Sequence, residues 1–266
     1  MKQKIDFERF YEKYGEHWVN KSRRKYEKIA SNWKVGKILT VLNQNKSIKV
    51  NSLLDFGCGP GNILSFLDKK MNLKRVYGFD ISKSMIKIAR KNFPKAKYII
   101  SKDLADFSNK VDLVIFIDVL EHVPEPIKIL KQASKISKYQ FVKIPLENTL
   151  LRNMAKFIGL NKVSSEGHIN FWHKDEFLDL LDESGFKVID FWEGNPPKKI
   201  QFYPRESKGE VSKIKKPLFL VFDITGKIIF PFHKMYAYLF SSNLFVLVEK
   251  NETHPIKPPT PQQSSS

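Results

Sequence analysis

The chain has 266 residues, 42% of them apolar, which suits one large domain or one domain with appendages and excludes wholesale disorder. A single cysteine excludes a disulfide framework or a cysteine-rich zinc site and fits a reducing compartment. The formal net charge of +18 raises the question of a nucleic-acid partner, but only seven of the 46 basic residues are arginine, so the excess reads as solvated lysine and makes nucleic acid an unlikely partner.

The N-terminus, MKQKIDFERF, lacks a signal-peptide core, and no apolar run reaches the roughly 18 residues of a spanning helix, so a cytoplasmic protein is expected. Residues 5 to 44 read as helical: Phe7, Phe10, Tyr11, Tyr14 and Trp18 recur at three- and four-residue steps, and Ile29, Trp33, Ile38 and Leu42 continue the pattern. From residue 52 short apolar runs alternate with amphipathic helices. SLLDF, RVYGFD, KYIIS, VDLVIFIDVL, YQFVKIPL, FKVIDFW and NLFVLVEK read as strands, the fourth apolar enough to be covered on both faces. Between them ILSFLDKKM, the segment from Ser82 to Pro94, PEPIKILKQASKIS and KDEFLDLLDESGF read as helices, with Ser82 as an N-cap and Gly185 as a C-terminal stop. This alternation predicts an α/β fold: a doubly wound, Rossmann-like, seven-stranded and mostly parallel sheet, with an N-terminal helical cap and an insertion before the last strand.

In such a sheet a ligand sits beyond the carboxyl ends of the strands. The stretch LLDFGCGPGN places Gly57, Gly59 and Gly61 there, directly after the first strand. No Lys-Ser or Lys-Thr pair follows in register for a nucleoside-triphosphate loop, and Asn62 stands where a dinucleotide fingerprint needs its third glycine. The GxGxG spacing instead fits a loop whose backbone approaches a less anionic ligand. Asp55, an acid inside an apolar strand, needs a partner, and Cys58 is a small packing residue of the loop rather than a nucleophile.

LLDFGCGPGN resembles the first motif of the class I S-adenosylmethionine-dependent methyltransferases, and three further motifs follow in the family's order over residues 50 to 195. The chain resembles small-molecule members, the ubiquinone-pathway O-methyltransferase and methyltransferase type 11 and 23 group. The resemblance implies S-adenosylmethionine as cofactor. Asp55 would hold the loop and the methionine end, with Gly57, Cys58, Gly59 and Gly61 lining the cofactor. Asp80, followed by Ile81 in GFDIS, would accept the ribose hydroxyls; Asp103 and Leu104 in SKDLADF would meet the adenine; Asp118 in DVLEHV would bond the cofactor. His122 and His168, the latter in GHINFWHKDEFLDLLDESGF, are the candidates for a general base, with a structural hydrogen-bonding role as the alternative for each. Asp118, Glu121 and His122 are similar to residues associated with a divalent metal in relatives, which leaves Mg2+ as a second cofactor choice.

The implied function is methyl transfer to oxygen of a small or lipid-linked acceptor, of the quinone-precursor or glycan type. The alternatives are an RNA or protein methyltransferase, a silent cofactor-binding subunit, or an NAD-binding module. The NPPK stretch from Asn195 follows the sixth strand, not the fourth, and so does not serve as an amino-methylation motif. The organisation expected is a cap over residues 1–48, a core over 49–195, an insertion over 196–240, the last strand over 241–250 and a Pro- and Ser-rich tail over 251–266. The insertion joins a basic run to an aromatic-rich stretch, which suits a lid, an interface or an anionic membrane surface, and with the last a peripheral location on the inner face of the membrane.

Overall fold

The computed structural model describes residues 21–146, 167–197, 200 and 243–251. Its elements are α1 (Lys21–Gln44), β1 (Ser52–Phe56), α2 (Asn62–Met71), β2 (Arg75–Asp80), α3 (Lys83–Asn92), β3 (Lys97–Ile100), β4 (Leu113–Ile117), α4 (Pro126–Ala133), β5 (Tyr139–Pro145), α5 (Lys174–Glu183), β6 (Phe186–Gly194) and β7 (Asn243–Lys250). Two 3-10 turns, Leu104–Asp106 and Leu120–His122, follow β3 and β4.

The seven strands form one sheet in the order β3-β2-β1-β4-β5-β7-β6. The pairs β1–β2, β1–β4, β2–β3 and β4–β5 are parallel, and β7 runs antiparallel to both its neighbours. Chain order reverses between β1 and β4, which opens a crevice at their carboxyl ends. Alternation along the strands sends Leu54, Phe56, Val114 and Phe116 to one face, with α4 and α5, and Leu53, Leu113 and Ile115 to the other, with α1, α2 and α3. Every residue of β1 and β4 is buried, as strands covered on both faces require.

Local signals set the element ends. Ser82 Oγ accepts the Met85 N–H at 3.2 Å and caps α3. Pro126 opens α4, and Gly185 follows α5 at φ +83. β4 is shorter than the apolar run around it. It stops at Ile117 because Asp118 turns to φ +58, and Leu120 enters a 3-10 turn while still fully buried. α1 lays Val35, Ile38, Val41 and Leu42 on the sheet, and its Trp33 meets the rings of Trp192 and Phe245 at 6.0 and 5.6 Å. The aromatic residues predicted before Lys21 and most of the insertion after Pro197 lie outside the described residues.

Candidate active site

The glycine loop crosses from the end of β1 to the end of β2. The Gly57 and Cys58 N–H groups both donate to the Phe79 carbonyl, at 2.7 and 3.0 Å. Gly57 has φ +80, and a Cβ there would lie 2.5 Å from a Val119 methyl carbon, so only glycine fits. Gly59 has φ +50, and a Cβ there would meet no atom of the described residues within 4 Å. Gly61 precedes α2, whose ten residues aim their N-terminal dipole into the loop.

The acidic residues differ sharply in their surroundings. Asp80 Oδ2 accepts the Gly59 N–H at 2.8 Å and Oδ1 accepts the Ser82 N–H at 2.9 Å, which fixes the carboxylate beside the loop. Ile81, half-buried, connects the two. Asp55 is 1% exposed, and neither of its oxygens has a hydrogen-bond partner among the described residues. Burial, followed by the charge of Asp80, pushes its carboxyl up to about 8 against the pull of Lys34. Across the loop the buried Asn62 Nδ2 also has no hydrogen-bond partner among the described residues. Asp103 is exposed and caps the turn that carries buried Leu104, accepting the Ala105 N–H at 2.9 Å and the Gln132 side chain at 3.1 Å. Burial, then the neighbouring carboxylates of Asp80 and Asp55, raises the Cys58 thiol, so it stays protonated and is no nucleophile at neutral pH.

Asp118 sits at the crevice itself. Its Oδ2 meets Lys34 Nζ of α1 at 2.6 Å, and its Oδ1 pairs with Lys143 Nζ of β5. Burial would raise the Asp118 carboxyl, but the two ammonium groups overrule it and hold the group well below the usual carboxylate range. Burial likewise works against a charged Lys34, yet Asp118 and Glu27 hold its ammonium above the ordinary value.

The turn Leu120–His122 carries the next cluster. Glu121 is 1% exposed with both oxygens unpartnered among the described residues, and burial plus the charge of Asp118 drives its carboxyl upward. The His122 and His168 rings meet edge to face at 4.6 Å. Ligand atoms of Glu121, His122 and His168 all lie within 4.8 Å of one another, close enough to hold one metal ion.

Residues far apart in sequence thus converge on the crevice: Asp55 and the glycine loop, Asp80, Asp118, and the Glu121–His122–His168 group. Asp103 and Leu104 stand at the next strand end outward. Of the acid and imidazole groups in this region, those that gather among the described residues are Glu121, His122 and His168, while Asp118 pairs with Lys34 and Lys143. Sequence reasoning missed Lys34, Lys143 and Asn62. A lysine inside the buried strand YQFVKIP is a signal that an acid must face it.

A parallel sheet reversing at β1 and β4, with a GxGxG loop at that reversal and an acid closing the adjacent strand, defines a class I S-adenosylmethionine-dependent methyltransferase. The family model of the methyltransferase domain matches residues 24–190. The chain belongs to this methyltransferase domain family. It is 35% identical over 153 residues to the trans-aconitate 2-methyltransferase of Enterobacter sp. (strain 638), covering 54% of this chain and 59% of that relative. It is 22% identical over 195 residues to the ubiquinone biosynthesis O-methyltransferase of Coxiella burnetii (strain Dugway 5J108-111), covering 66% of this chain and 77% of the relative. Its fold is similar to that of magnesium protoporphyrin IX methyltransferase from Synechocystis PCC 6803 with bound S-adenosylmethionine, at TM-score 0.56 and 14% identity over 94% of this chain and 100% of that one. A S-adenosylmethionine-dependent methyltransferase from Archaeoglobus fulgidus shares the fold at TM-score 0.52 and 19% identity over 79% and 91% of the two chains.

Proposed function

We propose that the chain transfers the methyl group of S-adenosylmethionine to an oxygen of a small or lipid-linked acceptor, such as a quinone precursor or a glycan. The observation that carries the oxygen reading is the group of buried Glu121 with half-buried His122 and His168 beside Asp118, next to the glycine loop. A hydroxyl must lose a proton as it is methylated, and a positioned base contributes a factor of about 10²–10⁴. The name of the Coxiella relative, an O-methyltransferase, supports the same atom.

The residues fit the cofactor on their own chemistry. Buried Asp55 and Asn62 offer an acceptor and a donor that no described residue satisfies, and Gly59 leaves room for a close approach. When bound, the cofactor supplies a methyl group already activated by its sulfonium. In this reading Asp80 takes the ribose hydroxyls, Asp103 and Leu104 the adenine edge, and Asp55 the methionine end, with Asp118 also bonding the cofactor. His122 or His168 removes the acceptor proton, and Glu121 stands behind them. Alignment of acceptor and methyl lowers the barrier by roughly 7–11 kcal/mol, the larger part of the enzyme's task.

The test is calorimetric titration of the protein with S-adenosylmethionine, S-adenosylhomocysteine and NAD, followed by transfer of labelled methyl from S-adenosylmethionine to a panel of hydroxylated acceptors. Binding of the first two, lost in Asp80→Ala, with label on oxygen that falls in His122→Ala or His168→Ala, is expected. Preference for NAD, or label on nitrogen or carbon, would overturn the reading.

A further inference from the structure

The segment from residue 167 to residue 172 brings His168 into the crevice from the far side of a chain segment that begins after β5. It runs as an extended strap with alternating exposure: His168, Asn170 and Trp172 turn inward, while Ile169 and Phe171 are 36% and 41% exposed. Trp172 fastens one end, bridging Leu146 beyond β5 and packing on the Phe177 ring of α5 at 5.1 Å.

At the other end the strap is bonded to the turn after β4. The Ile169 and Asn170 N–H groups both donate to the Glu121 carbonyl, at 2.8 and 3.1 Å. The Asn170 side-chain amide then donates to two more carbonyls of the same turn, Leu120 at 2.9 Å and Val123 at 2.7 Å. Carbonyls of a three-residue 3-10 turn have few partners of their own, so one carboxamide satisfies both ends of the turn at once. His122 Nδ1 lies 3.2 Å from the Gly167 carbonyl and completes the seam.

We propose that Asn170 is the positioning residue of this site: its carboxamide clamps the turn after β4 to the strap and thereby sets His168 against His122 and Glu121. The residue touches no reacting group. It acts through the seating of His168, and the assignment rests on the proposed role of the histidines only for its catalytic consequence. The clamp requires two donors at one atom, which asparagine has and the equally sized aspartate lacks.

The decisive comparison is Asn170→Ala against Asn170→Asp in the full-length protein, with nuclear magnetic resonance as the probe. In the wild type the ring protons of His122 and His168 give a mutual cross-peak, and the two Asn170 side-chain amide protons are slowed in exchange. Both variants are expected to lose the His122–His168 cross-peak while binding S-adenosylhomocysteine with wild-type affinity. A cross-peak that survives in the aspartate variant would assign Asn170 a packing role and overturn the proposal, as would survival in alanine. Should the variants fail to fold, solvent-rate exchange of the Asn170 amide in the wild type would overturn it alone. Failure of the wild type to bind S-adenosylhomocysteine would instead refute the cofactor reading and leave the clamp standing.

Discussion

Asp55 makes folding stability depend on pH with the sign opposite to that of most carboxylates. Its ordinary value is 3.8, and in the folded chain burial and the charge of Asp80 raise it to about 8. A carboxyl raised in the folded state binds its proton more tightly there than in the unfolded chain. Its contribution is therefore fully present below about pH 4 and is lost as pH climbs through about 8. Each pH unit inside that window removes about 1.4 kcal/mol, so raising the pH from ~5 to ~7 costs the wild type about 3 kcal/mol through this group. Asp55→Asn removes the titration and leaves every other group in place. Urea unfolding of both proteins at the two pH values should show the stability difference moving by about 3 kcal/mol in favour of the variant at the higher pH. A difference that is the same at both values would refute the reasoning, because it would mean that Asp55 ionises in the fold as it does in water.

Four further outcomes are expected. Lys143→Met removes the buried cation that faces half-buried Asp118, whose other ammonium partner is Lys34, and should destabilise the fold by about 2 kcal/mol in urea unfolding, between an exposed pair and a fully buried one; a loss no larger than the ~1 kcal/mol of an exposed pair would argue against the triad. Gly57→Ala should lower both stability and S-adenosylhomocysteine affinity, since the new methyl group collides with Val119. Gly59→Ala meets no atom of the described residues and should cost only the ~1–2 kcal/mol of left-handed backbone strain while still weakening the ligand, with thermal melts and calorimetry separating the two effects. Flotation with anionic liposomes, with and without residues 213–240, tests the surface reading of the insertion, and unchanged binding on deletion would discard it.

Much of the architecture was legible because its signals are local. The strand runs, the loop glycines, the Ser82 cap and the Gly185 stop are each decided within a few residues, by pattern and by backbone sterics. The apolar run from Val111 to Leu120 misled in length alone: Val111 and Leu120 are buried in irregular backbone, and burial, not strand geometry, demands their apolarity. The site was legible where a motif concentrates it, as at Asp55, Asp80 and Glu121. Lys34, Lys143 and Asn170 were not, because each acquires its meaning from a partner on another element. Lys34 in a lysine-rich helix looks like any solvated cation until α1 crosses the crevice and meets Asp118. Asn170 looks like a loop asparagine until the turn after β4 comes within reach of its amide.

The place of β7 has a consequence for how the chain is made. It is the last strand in sequence, yet it lies between β5 and β6 and bonds to both along seven and eight residue pairs. As the polypeptide leaves the ribosome, β5 and β6 emerge first with nothing between them, and β6 has no place in the sheet until residues 243–250 follow. Until then β5 presents a bare edge, the kind of surface on which nascent chains pair with one another. Asn45, bonded to Asp190 of β6 at 2.8 Å, must also wait for that closing strand. α1 and β7 are thus completed together, and a ribosome that stalls before residue 243 releases a sheet with β5 open at its edge and β6 unseated.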